Sequence, residues 1–455
     1  ASRPAAARRA TRAAFATQHI TLTRTTTPPP HLGVRLAPRR RGTTTLQVSG
    51  EQGHGGRSSI SGLKVAVFGA TGFLGRYVVN ELGKTGTTVT IGNRGCEMET
   101  RHLRPMFDLG NMAIEFYSTR DDDSIRRTIE GCDIVINMIG KRYETRKLLP
   151  TSPDGALDPI KGSRINFGFD EVNIDIPAKL AKISKEMGVD KFIHVGALSA
   201  DPDAKSHFSR SKYFGEEAVR KEFPEAVIVK PAELFGHEDR LFNWQGEMGS
   251  RLPAIPMLED GSGLVQPVYV GDVADAIIKM TDDGPHAHHT ASVDKMGSDE
   301  EEEDIFGIKA HVAGSGGKFK GATLELAGSD DFTRREVMDF VSDLTSLNKP
   351  AVPMPEAILK VVASAAAVVP EPWLTVDEVD RWGENVTLDP ETDAVTLEDL
   401  DIRPVRVEEI AFQYLHRFRK GGHFVLHEGY HANEGKGFND PGAKVRSIAG
   451  NRPFV

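Results

Sequence analysis

From Leu63 the chain turns abruptly apolar, and Leu63-Lys64-Val65-Ala66-Val67-Phe68 has the continuous hydrophobic character of a strand buried on both faces. A glycine-rich turn follows, then a helical pattern over 76–84 and a second strand over 87–91. The alternation continues with a strand over 113–117, a helix over 123–130 and an apolar strand over 133–139. Two more strands are expected at 191–195 and 226–229. Strands separated by helices require right-handed crossovers, so the pattern predicts an α/β fold with a doubly wound parallel sheet. Helical periodicity returns at 333–347, 355–369 and 407–418, predicting a smaller, mainly helical C-terminal part. Residues 148–169 are rich in Pro, Gly and Asp, and 282–320 carry histidines, an acidic run and a glycine-rich piece; both are expected as surface insertions.

Composition narrows the picture. The chain has 455 residues, 39% hydrophobic and 27% charged, which suits a large globular domain with an appended part. A net charge of -9 argues against nucleic-acid binding, which needs concentrated Lys and Arg. The sign reverses at the start: the first 50 residues hold nine arginines and no Asp or Glu. Such a stretch is expected to be an organelle presequence, mitochondrial in preference to chloroplast, or a basic tail that touches a partner. The expected division is 1–58 presequence or basic extension, 59–270 nucleotide-binding domain, 271–420 C-terminal subdomain and 421–455 extended tail. Cys96 and Cys132 are the only cysteines, so neither a disulfide framework nor a cysteine zinc site can be built. The apolar run 358–369 contains Lys360 and Ser364 and falls far short of the roughly 20 residues that span a bilayer.

Chemistry concentrates at Gly69-Ala70-Thr71-Gly72-Phe73-Leu74-Gly75, which closes a strand and opens a helix. In that context Gly69 allows a tight turn, Gly72 lets backbone approach a pyrophosphate and Gly75 lets helix and strand pack closely. The helix N-terminus offers N–H groups to the anion. After the second strand, where a carboxylate would hold a ribose 2′-hydroxyl, the chain reads Gly92-Asn93-Arg94. A guanidinium there favours a 2′-phosphate, hence NADPH. Thr71, Phe73, Leu74, Ile139, Gly140, Lys212 and Pro231 complete the expected cofactor-binding set.

The glycine spacing resembles that of extended and atypical short-chain dehydrogenases. In that family a Tyr-x-x-x-Lys pair and a serine after the preceding strand carry the proton chemistry. The matching stretch here is His207-Phe208-Ser209-Arg210-Ser211-Lys212, with Phe208 at the tyrosine position, and Gly196 stands at the serine position. Tyr213 lies about 100° round the helix from Lys212. No catalytic residue is therefore expected; the rival is a slow NADP-dependent reductase or epimerase using Ser199, Ser209 or water.

More narrowly, the run 65–80 resembles the short-chain-dehydrogenase-like accessory subunit of mitochondrial respiratory complex I, NADH:ubiquinone oxidoreductase. So do His102-Leu103-Arg104-Pro105-Met106, Asp123-Ser124-Ile125-Arg126-Arg127, the strand 191–195, Gln266-Pro267-Val268-Tyr269-Val270, Glu371-Pro372-Trp373 and Leu397-Glu398-Asp399-Leu400. The likeness runs from about residue 63 to 420. It implies a peripheral subunit on the matrix side of the inner membrane, beside the ubiquinone-reduction region, with other complex I subunits as partners. It further implies tightly held NADPH used for structure or regulation without turnover; a second rival to this reading is a soluble NADP-redox-sensing regulator. Members of the family commonly keep the tyrosine, so Phe208 is a departure.

Weaker signals are read conservatively. His286, His288 and His289 are expected in solvent, not on a metal, and the acidic run 299–303 as a solvated loop. The run 358–369 is expected either in its own core or against a subunit or the membrane interface. Arg417, Arg419 and Lys420 would meet phospholipid or an acidic subunit, or complement a helix end.

Overall fold

The computed structural model describes Arg57 and residues 61–95, 97–148, 163–282, 319–347, 349–367, 372–389 and 394–419. Seven parallel strands form the main sheet: β1 (Lys64–Phe68), β2 (Thr88–Asn93), β3 (Met112–Phe116), β4 (Ile134–Asn137), β5 (Lys191–Val195), β6 (Val227–Pro231) and β7 (Thr323–Leu326). Their order across the sheet is β7-β6-β5-β4-β1-β2-β3. The order reverses between β1 and β4, and in open α/β sheets ligands bind at the carboxyl ends of the strands beside such a reversal.

Side-chain alternation along each strand divides the core in two. Val65, Val67, Ile91, Ile136, Ile193 and Val229 face helix α1 (Phe73–Lys84) and the helix that follows β6 in this layer, Val270–Asp282. Ala66, Phe68, Val135 and Phe192 face the other way, toward α2 (Asp122–Ile129), α3 (Ile176–Met187) and α4 (His207–Glu222). Each fully buried Val, Leu or Ile contributes roughly 1.5–3 kcal/mol, so both layers clamp the sheet firmly. A third core around Phe242, Phe340 and Tyr414 joins α5 (Leu241–Arg251), α7 (Arg334–Thr345) and α10 (Val407–Leu415); Val270–Asp282 is α6 in this numbering. Thr333 caps α7 in a reciprocal box with Glu336. The remaining helices, α8 (Glu356–Ala366) and α9 (Val376–Trp382), share a small core of Leu359, Ala363, Leu374 and Val379.

Several expectations are adjusted. The strand read over 133–139 stops at Asn137, because the Asn137 carboxamide accepts from the Ile139 N–H (3.1 Å) and turns the chain. The insertion 148–169 is not loop throughout: Thr145–Leu148 pairs antiparallel with Ser163–Phe167, so its flanks form a hairpin, and 149–162 lie outside the described residues. The helix read over 333–347 ends at Thr345, where Ser346 takes a left-handed φ of 54°. The segment 271–420 supplies β7 and most of α6 to the sheet layers as well as the helices α7 to α10. The expected presequence apart from Arg57, the histidines and acids of 283–318, Lys420 and the tail fall outside the described residues. Among the described residues no helix is long and apolar enough to cross a membrane, and no group of His, Cys, Asp and Glu is arranged to hold a metal ion.

Helix α8 buries Leu359, Ala363 and Ala366 and leaves Ile358, Val361 and Val362 exposed, so it is both a core helix and an apolar surface. Arg417 donates to the His237 carbonyl and the Asn243 side chain, which ties it to its own domain.

Candidate functional site

The turn between β1 and α1 is shaped by what cannot be added to it. Gly69 has φ +86°, and a Cβ there would stand 2.8 Å from the Met138 carbonyl group after β4. At Gly75 a Cβ would lie 2.3 Å from the Gly69 oxygen, so α1 approaches the turn with only hydrogen between. Gly72 is exposed at the helix N-cap; its N–H donates to the Gly69 carbonyl (3.1 Å), and no side chain caps α1. The first-turn N–H groups thus remain for an anion. Thr71 flanks the turn, its carbonyl accepting from Arg76 Nε (3.4 Å). Phe73 packs edge-on against Tyr77 and over Gly236, and Leu74 enters the core, so these two hold the loop by their side chains.

At the end of β2 the Asn93 side chain is buried and both donates to and accepts from the Gly95 backbone (3.3 and 3.1 Å), fixing the turn that presents Arg94. Arg94 is exposed, and its guanidinium stands 5.1 Å from the Phe167 ring centre. Arg120 approaches the same ring at 4.6 Å and pairs with Glu171 (3.0 Å). This double cation stack was not legible in the sequence, since its three residues lie far apart in the chain and Phe167 sits in a stretch read as loop.

Ile139 and Gly140 follow β4, and a Cβ on Gly140 would lie 3.6 Å from Lys212 Nζ. The two expected elements therefore meet. Lys212 is buried on α4, donates to the Val195 carbonyl (3.2 Å), and burial pulls its ammonium down to about 8, with Glu216 opposing. Pro231 ends β6, and its carbonyl accepts from the Leu198 N–H (2.9 Å), which ties the loop after β5 to the sheet. Between β4 and β5, Asn137 donates to His194 Nδ1 (3.2 Å). Burial, then the nearby Lys212, lower that imidazole to about 3, so it stays neutral.

One turn before Lys212 is Phe208, whose ring centre lies 5.9 Å from Lys212 Nζ and 4.8 Å from the Arg381 guanidinium. At Gly196 a Cβ would come within 2.3 Å of Glu216 Oε1. Ser209 Oγ donates to Glu384 (3.1 Å) and toward Ser199 Oγ (3.4 Å), so both hydroxyls belong to the network at the α4 N-terminus. Tyr213 packs against Phe214.

Residues 69–238 match the family model described as NAD(P)H-binding. The chain is 35% identical over 369 residues to the mouse protein NADH dehydrogenase [ubiquinone] 1 alpha subcomplex subunit 9, mitochondrial, covering 81% of this chain and 83% of that one. It is 32% identical over 373 residues to the NADH-ubiquinone oxidoreductase 40 kDa subunit, mitochondrial, of Neurospora crassa, covering 82% and 84%. Among solved structures, the Citrobacter sp. triphenylmethane reductase complexed with NADP(H) superposes with a TM-score of 0.52 at 17% identity, over 77% of this chain and 99% of that one, a likeness of fold. With a glycine turn shaped for a dinucleotide, the sheet order that goes with it and relatives aligned over four-fifths of its length, the chain belongs to the family of NADH dehydrogenase [ubiquinone] 1 alpha subcomplex subunit 9.

Proposed function

We propose that this protein is a non-catalytic accessory subunit of mitochondrial complex I that holds NADPH for structural stability or regulation. It works as a peripheral subunit on the matrix side of the inner membrane, beside other complex I subunits. The names of its relatives support the assembly and the organelle. The glycine turn supports a dinucleotide: its pyrophosphate would lie on Gly72 and the α1 N-terminus, and Arg94 would meet a 2′-phosphate. Lys212, beside Gly140, would hold the nicotinamide ribose. When bound, NADPH is a hydride donor; this chain's residues bind and enclose it.

The observation that carries the non-catalytic reading is the pair Phe208 and Gly196. A ring without a hydroxyl stands one turn before Lys212, and the Glu216 carboxylate occupies the space that a side chain at residue 196 would need. The hydroxyls of Ser199 and Ser209, the rival proton sources, are engaged with each other and with Glu384. Bound nucleotide then stabilises the fold by mass action, about 4 kcal/mol at a thousand times its Kd.

The test is purification of the tagged protein from mitochondria. The expected result is elution within a complex of complex I size, carrying NADPH that added aldehydes and ketones do not oxidise. Free protein that turns over a carbonyl substrate would sink the proposal.

A further inference from the structure

Reached from Phe208 through Arg381 and Glu378 is a cavity of about 50 Å³ lined by Arg142, Arg240, Arg334, Glu233, Glu378 and Gln245, and by no residue of the glycine turn. Its charges do not balance. Arg334 pairs with Glu233 (3.0 Å), while the single Glu378 carboxylate is divided among Arg142 (2.7 Å), Arg240 (3.7 Å) and Arg381 (3.9 Å). Nearby acids are shared with other partners: Asp377, which also acts on Arg381, accepts from the Ser206 hydroxyl and from the His207 and Phe208 N–H groups, and Glu247, which also acts on Arg240, pairs with Arg251 (2.7 Å).

Buried donors are left over as well. Arg142 Nε, Arg240 Nε and Arg381 Nε have no hydrogen-bond partner, and neither does the oxygen of Gln245, which is 7% exposed and lines the cavity. Unsatisfied buried groups of this kind cost stability unless something fills the space between them. Burial, then the neighbouring Arg142, lower Arg381 to about 10, against the opposing pull of Glu378, Glu233 and Asp377. Arg381 stands behind Glu378, while the guanidiniums that line the small space itself, those of Arg142, Arg240 and Arg334, are suited to the oxygens of a phosphate.

We propose that this cavity is a second anion site, which takes a phosphate group, free or as an ester, next to the nucleotide site and distinct from it. Its volume admits a few water-sized groups, which suits a phosphate headgroup and excludes a whole nucleotide. Gln245 offers an acceptor to the P–OH of hydrogen phosphate. Arg240 and Trp244 are shared with a wider cleft of about 860 Å³ lined also by Met248, Leu252, Trp373 and Phe418, where the organic remainder of an ester would lie. The contacts Glu378 to Arg381, Arg381 to Phe208 and Phe208 to Lys212 connect this site to the expected nicotinamide end of the nucleotide site.

The experiment is a calorimetric titration of inorganic phosphate into the full chain preloaded with saturating NADPH, repeated on the chain alone and with a short-chain phosphatidate. The expected result is saturable one-to-one binding that survives NADPH. Arg142→Gln should weaken it about tenfold or more, and Glu378→Gln, which removes a competing carboxylate, should tighten it. A variant that merely unfolded could not tighten binding. Phosphatidate binding more tightly than phosphate identifies an ester that uses the cleft, and equal binding identifies the free ion. Absence of saturable binding, loss of binding on adding NADPH, or indifference to both substitutions would overturn the proposal. Because the chain alone is titrated too, failure to bind NADPH is read separately.

Discussion

Gly75→Ala tests whether the glycine turn is built for a ligand or merely for packing. The added Cβ would lie 2.3 Å from the Gly69 oxygen and 2.8 Å from the Ala70 Cα and carbonyl carbon, short of van der Waals contact by about 1 Å. All three atoms are backbone, so no rotamer change relieves the clash. Either the turn shifts or α1 does, and α1 is anchored by the fully buried Val78, Val79 and Leu82. Overpacking of this kind costs about 1–3 kcal/mol, or a fall of roughly 2–10 °C in Tm. A shift of about 1 Å also pulls the first-turn N–H groups off the pyrophosphate, and losing one charge-assisted bond at 1.5–3 kcal/mol weakens binding about 10- to 100-fold. The comparison is Gly72→Ala. There the Cβ meets only the Gly69 oxygen at 3.2 Å, and the backbone, at φ -70° and ψ 173°, suits alanine. Its stability should change by less than about 0.5 kcal/mol while NADPH affinity falls, because the methyl would stand where the pyrophosphate is proposed to approach. Thermal unfolding and fluorescence titration with NADPH measure both quantities. Gly75→Ala protein that melts and binds like the parent, or Gly72→Ala protein with undiminished affinity, would refute the reasoning.

Arg94→Glu should cut NADPH affinity relative to NADH about 10- to 100-fold, because a carboxylate repels a 2′-phosphate; an unchanged ratio in competition titration removes Arg94 from the site. Lys212, whose ammonium burial lowers from 10.5 to about 8, is charged in the folded chain only below that pH. The sign follows: the unfolded chain binds the extra proton between about 8 and 10.5, so stability is fullest above 10.5 and is lost as pH falls through 8, while affinity for an anionic cofactor declines above 8. Lys212→Met should flatten both profiles, and a profile unchanged by that substitution would exclude the assignment. Asp272 is raised from 3.8 to about 6 by burial, although its carboxylate accepts from the Val405 N–H (2.7 Å). Its contribution is full below 3.8 and lost as pH rises through 6, so Asp272→Asn, which keeps the acceptor, should stabilise the protein by about 1–2 kcal/mol at pH 7.5 and not at pH 4; equal effects at both values would count against this account. Phe208→Tyr should leave NADPH oxidation by added carbonyl compounds at background, and turnover in this variant alone would show that the missing hydroxyl at 208, without Gly196, accounts for the inactivity proposed for the native chain.

Legibility followed distance along the chain. The strands 64–68 and 191–195 announced themselves because both faces are covered and every second position need not be polar. β7 did not: its four residues, Thr323 to Leu326, alternate polar and apolar after a glycine-rich stretch, and only pairing with β6 makes them a strand. Helix α3 was also hidden, because it begins in a wide π-turn over Glu171–Asp175 that disturbs the 3.6-residue period. For the site, the glycine turn and the Lys212 position are local motifs and could be read directly. The Phe167 stack and the arginine cavity could not, since Arg142 and Glu378 meet across 236 residues and no local spacing encodes that contact.

Under the proposed non-catalytic role, the environment of Gly196 bears on whether a tyrosine alone would bring back proton chemistry. Glu216 lies one turn beyond Lys212 on α4, buried, with its carboxyl raised by burial and steadied by Lys230 at 3.2 Å. Its Oε1 lies where a serine at 196 would put its Cβ, so that substitution must turn the buried carboxyl about the Oε2 that faces Lys230. Phe208 is likewise held, with Arg381 over its ring at 4.8 Å and Phe169 edge-on at 6.0 Å. Under the proposed role these two departures are coupled to different partners, one to the sheet through Lys230 and the other to the arginine cavity through Arg381. Under that role, recovery of proton chemistry would require changes at 196 and 208 together with a turn of the Glu216 carboxyl, whereas the glycine turn between β1 and α1 is shaped by Met138, Ile139 and its own backbone. On the proposed role, that separation would let the chain keep a nucleotide and not consume it.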